Sequence, residues 1–199
     1  NFFRRTPRAV GAPEFLIVGL GNPGKEYEFT ATMLAFLLDL FAQENDIKIN
    51  RLKFNALIGD AEIGGKRCIL AKPDFHEQLR RGGARHSLVL QDTARKIIVI
   101  FETSLSPAAG SGYAAKARTA VTTNKEHNNQ LQSDQFPRIK LGIGAKLRPE
   151  QPLADWVLSV MKGDDLENLR SACLKACDAI PLLVNGETEK AMGLYNAAK

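Results

Sequence analysis

The chain has 199 residues, 44% of them apolar, 25% charged and 7% aromatic, with 16 Gly and 9 Pro. Those proportions exclude a disordered tail, a collagen-like fibre and a disulfide miniprotein, and fit one globular domain with a substantial core. The three cysteines, Cys68, Cys173 and Cys177, form no Cys-x-x-Cys and argue for a reducing compartment, while a net charge of +5 and a pI near 9.2 lean towards polyanionic partners.

Residues 1–13, NFFRRTPRAVGAP, carry Arg4, Arg5 and Arg8 and no acidic residue. They lack the apolar stretch of a secretory signal. Such a segment suits the remnant of an organelle-targeting sequence, a basic arm along RNA, or a plain extension ahead of a domain at 14–199. No apolar run in the chain approaches the ~20 residues that cross a bilayer.

Phe15–Leu20, FLIVGL, reads as a short buried strand closed by Gly. Thr30–Glu44 places Met33, Leu34, Leu37, Leu38, Leu40 and Phe41 at helical spacing. Phe54–Ile63 and Arg67–Ala71 flank Gly64-Gly65, which predicts a hairpin. A helix is expected around His76–Leu90, and Lys96–Glu102, KIIVIFE, is the strongest strand signal. Tyr113–Arg118 predicts a further strand, and polar Thr119–Asp134 a loop leading into a short helix. Arg138–Ile143 is expected as a strand. Pro152–Met161, Asp164–Cys177 and Glu187–Ala198 predict helices broken by KGDD and by Pro181–Gly186. Strands alternating with helices imply a single-domain α/β fold, with a mixed, mostly parallel sheet sandwiched by helices.

Gly19–Gly24, GLGNPG, has the spacing of a dinucleotide fingerprint after a strand. Pro23 and KEYEFT do not open a helix directly, however, and no acidic residue ends a second strand ~20 residues on. A tight turn holding Asn22 at the strand's carboxyl end, where α/β sheets bind ligands, is the better reading. No nucleotide cofactor is expected.

FLIVGLGNPGKEYEFT, with Tyr27-x-x-Thr30, resembles the opening of the bacterial-type peptidyl-tRNA hydrolases. The resemblance continues through Lys72-Pro73, KIIVIFE, His127-Asn128, FPRIKLGIG (Phe136–Gly144), LADWVL (Leu153–Leu158) and NGETEKAMGLYN (Asn185–Asn196), in the family's order. It implies the family's α/β fold and hydrolysis of the ester joining a peptide to tRNA, with no metal or cofactor.

The same resemblance places departures at the chemistry. Thr32 and Met33 stand where the family has its catalytic His and the following Asn, and Glu102 where it has the Asp that orients that His. Glu77 and Gln78 replace a Met-Asn pair, Arg80 and Arg81 a serine and glycine. His127 and Asn128 have lost both flanking glycines. Ester hydrolysis at neutral pH needs a base with a pKa near 7, which a threonine hydroxyl is not, and positioned general base catalysis is worth about 10²–10⁴ in rate.

Among the remaining groups, His127 lies in a polar loop and suits an RNA contact or an idle surface imidazole. His76 and His86, beside Arg80, Arg81 and Arg85, read as surface groups, and Cys173 and Cys177 at i, i+4 as core packing. Lys116, Arg118, Lys125, Arg138, Lys140, Lys146 and Arg148 fall within 33 residues opposed only by Glu126 and Asp134, an excess suited to phosphate contacts.

The resulting expectation is a catalytically degenerate, RNA-binding, ribosome-associated and mitochondrial protein. Its partners would be tRNA or rRNA and ribosomal subunit proteins, with no membrane. Asn22, Tyr27, Gln78, His127, Asn128, Lys116, Arg118, Arg138 and Lys140 would contact RNA or substrate. The alternative is a diverged but active peptidyl-tRNA hydrolase using His127 or another group; a further alternative is an organellar RNA-splicing accessory factor.

Overall fold

The computed structural model describes residues 12–21, 30, 34–73, 96–103, 118–122, 136–142, 150–152, 155–156 and 158–196. Its centre is β1 (Phe15–Gly19), whose Leu16, Ile17 and Val18 are 1%, 0% and 2% exposed. A strand buried on both faces needs a continuous apolar run, and FLIV supplies it. The sheet also contains β2 (Arg51–Lys53), β3 (Ala56–Ile63), β4 (Lys66–Pro73), β5 (Ile97–Thr103), β6 (Arg118–Thr122) and β7 (Arg138–Gly142), in the order β2-β3-β4-β1-β5-β7-β6. β4, β1, β5 and β7 form a parallel centre, and β2-β3-β4 and β7-β6 pair antiparallel at its flanks. Five strands thus run one way and two the other, as expected of a mixed, mostly parallel sheet.

The pleat sends alternate residues to two cores. Ile17, Leu70, Ile98, Ile100, Ile139 and Leu141 face the helices α1 (Leu34–Glu44), α2 (Asp164–Val184) and α3 (Thr188–Tyr195). Leu16, Val18, Ile58, Ala71, Ile97, Val99 and Phe136 are buried on the opposite face. Each fully buried Leu or Ile contributes roughly 1.5–3 kcal/mol of transfer free energy. On α1, Leu37, Leu38 and Phe41 supply the buried stripe. The helix ends where Asn45 Nδ2 donates to Phe41 O at 2.8 Å and Asp46 turns left-handed at φ 55°.

Several expected boundaries are corrected. The predicted hairpin is present, with Gly64 and Gly65 at φ 58° and 74°, as a two-residue turn of matching twist requires. A second such turn precedes it: Phe54 and Asn55 sit at φ 54° and 56°, so Phe54 is not in the strand, and β2 lies before it. Thr119–Thr122 is strand, not loop, because the β-branched RTAVT segment pairs with β7. Most of the expected Tyr113–Arg118 strand lies outside the described residues, as do residues 1–11 and the expected helix around His76–Leu90. Pro152–Met161 is not one helix. Asp155 and Trp156 are helical, Ser159 Oγ donates back to Trp156 O at 2.7 Å, and Val160 already bridges Thr30.

α2 runs through Pro181 instead of stopping at Cys177. The proline lacks the N–H that would bond the preceding turn. Ile180, Leu183 and Val184, at 0%, 2% and 0% exposure, anchor the final turn against the core. Lys66 Nζ donates to Val184 O at 2.7 Å, satisfying a terminal carbonyl and placing a cation at the helix's negative end.

Gly59 marks the tightest backbone approach in β3. A Cβ there would sit 2.6 Å from Lys48 O, a main-chain atom with no rotamer by which to retreat. Gly59→Ala is expected to cost about 1–3 kcal/mol by overpacking and to lower Tm by several degrees in thermal unfolding. An unchanged Tm would show that the Lys48 strand entry yields freely.

Candidate active site

Because β4, β1, β5 and β7 are parallel, their carboxyl ends converge on one edge. Val18 lies opposite Ala71, and Gly19 opposite Ile100, so Lys72 is level with Gly19, and Pro73 and Phe101–Thr103 extend past the end of β1 on its two sides. The chain leaves β1 for strands on one side and returns to β5 on the other. This makes the end of β1 a topological switch point, where the crevice for a ligand forms in α/β sheets. Leu20 N donates to Ile100 O at 2.9 Å, carrying the ladder into the Gly19-Leu20-Gly21 turn that precedes Asn22.

Register brings further expected residues to this edge. Glu102 lies opposite Leu141, Thr103 opposite Gly142, and Arg118 opposite the same Gly142 from the other side. Arg138 and Lys140 share the face of β7 that carries the Phe136 side of the core. Arg138 is 2% exposed, its guanidinium carbon 4.0 Å from the Phe136 ring centroid, so phosphate in solution does not reach it in this arrangement. Lys140 is half-buried, with Nζ 5.4 Å from the Phe101 centroid, and keeps access to solvent. Asn22, Tyr27, Thr32, Met33, Gln78, Lys116, His127 and Asn128 lie outside the described residues.

One pair at this edge was not anticipated. Lys72 Nζ meets Asp39 Oδ1 of α1 at 2.5 Å. The available signal was Asp39 itself, the one charged residue between Met33 and Gln43. The cysteines are remote from nucleophilic chemistry. Burial pushes the Cys68, Cys173 and Cys177 thiols up to about 12, keeping them protonated. Among the described residues no group of three or more His, Cys, Asp or Glu could hold a metal ion.

The chain is similar to known proteins over almost its whole length. The family model for peptidyl-tRNA hydrolase matches residues 16–199. The peptidyl-tRNA hydrolase of Alkaliphilus metalliredigens is 34% identical over 92% of this chain and 99% of its own. The chain belongs to the peptidyl-tRNA hydrolase family. The Clostridium novyi peptidyl-tRNA hydrolase is 31% identical over 93% of this chain and 99% of its own. The crystal structure of peptidyl-tRNA hydrolase from Acinetobacter baumannii shares the fold, with a TM-score of 0.76 at 23% identity over 94% of this chain and 97% of that one. A mutant of the Acinetobacter enzyme superposes with a TM-score of 0.73 at 27% identity, over 94% and 97% of the two chains.

These matches overturn the expectation of a catalytically degenerate, ribosome-associated component. Curated relatives covering almost the whole chain are peptidyl-tRNA hydrolases, which favours the alternative of a diverged but active hydrolase. A few substituted positions weigh less than similarity over the entire domain.

Two expectations follow from the charges and thiols. Lys140→Met should lower the log–log salt slope of tRNA binding by about 0.7–0.9, whereas Arg138→Met should lower Tm and leave that slope alone. The reverse pattern would show that Arg138 swings out to meet phosphate. The thiols of the unfolded chain ionise near the ordinary 9.0, and those of the folded one near 12. Their contribution to stability is therefore complete below about pH 9 and lost as pH rises towards 12. Thermal unfolding across that range should show the fall, and iodoacetamide at pH 8 should leave the native thiols unmodified.

Proposed function

We propose that the chain hydrolyses the ester joining a peptide to tRNA, at the carboxyl edge of β1, β4 and β5. The observation that carries this reading is the family match over residues 16–199, reinforced by curated relatives that the chain covers almost end to end. The strand ends supply the physical frame. A switch-point crevice beside Gly19–Gly21 admits the reacting end of the substrate, and cationic residues on β6 and β7 attract its phosphates.

Attack by water on the ester carbonyl requires a group that takes the water's proton near neutral pH. Thr32 stands at the family's base position and cannot do this. Imidazole is the side chain whose ordinary pKa suits the task, and the chain's three are His76, His86 and His127. We assign the base to His127, which keeps the family's His-Asn pair with Asn128. Lys116, Arg118 and Lys140 are assigned to the phosphates of the bound tRNA.

Multiple-turnover release of N-acetylated amino acid from tRNA tests this directly. The purified chain should show turnover that is lost on denaturation, and His127→Ala should reduce kcat about 10²–10⁴-fold with KM little changed. A wild-type rate no greater than spontaneous hydrolysis would refute the function. Full activity in His127→Ala would refute the assignment of the base alone.

A further inference from the structure

Two contacts tie Thr30 and α1 to the rest of the fold. Thr30, 2% exposed, forms an antiparallel bridge with Val160. Asp39, six residues after Met33 and in the second turn of α1, accepts a 2.5 Å charge-assisted hydrogen bond from Lys72 Nζ. Lys72 is the penultimate residue of β4, immediately before Pro73, and its side chain is 12% exposed against 45% for Asp39. The register sets Ala71 beside Val18, so Lys72 lies level with Gly19 at the opening of the Gly-rich turn.

The location and chemistry of this pair ask for more than a stabilising role. A half-exposed ion pair adds little to stability, because solvent screens it and two side chains are immobilised. The apolar contacts of Leu37, Leu38 and Phe41 press α1 onto the sheet, yet they are non-directional and permit small sliding or rotation. A short charge-assisted hydrogen bond is directional and removes that freedom. It joins α1 to the carboxyl end of β4, at the edge where the substrate is proposed to sit.

We propose that Lys72 and Asp39 are a positioning pair, which fixes α1 against the end of β4 and so sets the width of the carboxyl edge beside Gly19–Gly21. This inference rests on the hydrolase reading above. Neither residue is assigned contact with the ester. Their effect is transmitted through α1 and β4, and displacement of the substrate by about 1 Å costs on the order of 10² in rate.

The test uses Lys72→Met, Asp39→Asn and the reversal Lys72→Asp with Asp39→Lys, in the full chain with N-acetylaminoacyl-tRNA as substrate. Each single variant should lose about ten- to a hundredfold in kcat, with KM, its salt dependence and Tm nearly unchanged, and the reversal should recover part of the loss. A raised KM with intact kcat would make Lys72 a tRNA contact and overturn the proposal. So would a folded reversal no better than either single variant. Amide hydrogen exchange over residues 38–43, whose N–H groups are bonded within α1, gives a readout independent of turnover and of the reversal's folding. Lower protection in both single variants, with protection over β1 kept, supports the tie; unchanged protection overturns it. Wild type without turnover would sink the hydrolase reading, and exchange would still decide whether the tie exists.

Discussion

The burial of β1 between two parallel neighbours is the constraint from which the rest of the arrangement follows. Leu16, Ile17 and Val18 are almost wholly shielded, their side chains divided between two cores, and β4 and β5 pair with both edges of the strand. A one-residue slip would exchange Ile17 with its neighbours across the sheet and break both cores at once. The register is therefore held strongly. With it is held the relative height of Gly19, Lys72 and Glu102, the residues from which the polar edge is built.

The sheet's two ends are built for different tasks. At the amino end of the parallel strands, the tight Gly64-Gly65 turn and the Lys66 ammonium on the last turn of α2 close the structure with main-chain and helix-end contacts. At the carboxyl end, Lys72 is paired with Asp39; along β7, Arg138 at the strand's start and Lys140 further on lie over aromatic rings. Cations laid on apolar faces keep their stems packed and their charge positioned. Arg138 shows the limit of charge counting: burial converts one member of the basic cluster from a surface charge into part of the packing.

The legible parts of the sequence were those with strong local patterns. FLIVG and IIVIF announce central strands by unbroken apolar runs, and Gly64-Gly65 announces its turn through the left-handed backbone it must adopt. The three exposed residues of β2 carry no pattern, and RTAVT becomes a strand only because β7 offers an edge to pair with. Pro181 read as a stop, since local rules penalise it, but the burial of Ile180, Leu183 and Val184 outweighs that penalty. The Lys72–Asp39 pair joins residues 33 positions apart and needed the tertiary structure to be seen. At the level of function, the resemblance named the right family. The inference from Thr32 and Met33 to a lost activity did not survive comparison over the whole domain.

The substrate's reacting end is proposed to bind at the carboxyl edge around β1. The most direct test is the binding of an acceptor-stem RNA whose 3′ end carries an N-acetylated amino acid through a non-hydrolysable amide, followed by backbone amide chemical shifts. Binding at this edge predicts shifts concentrated at Gly19–Gly21, Lys72, Glu102–Thr103 and Gly142, lost when the aminoacyl group is removed from the probe. Shifts confined to the opposite edge, around Gly64–Lys66, or indifferent to the aminoacyl group, would contradict it.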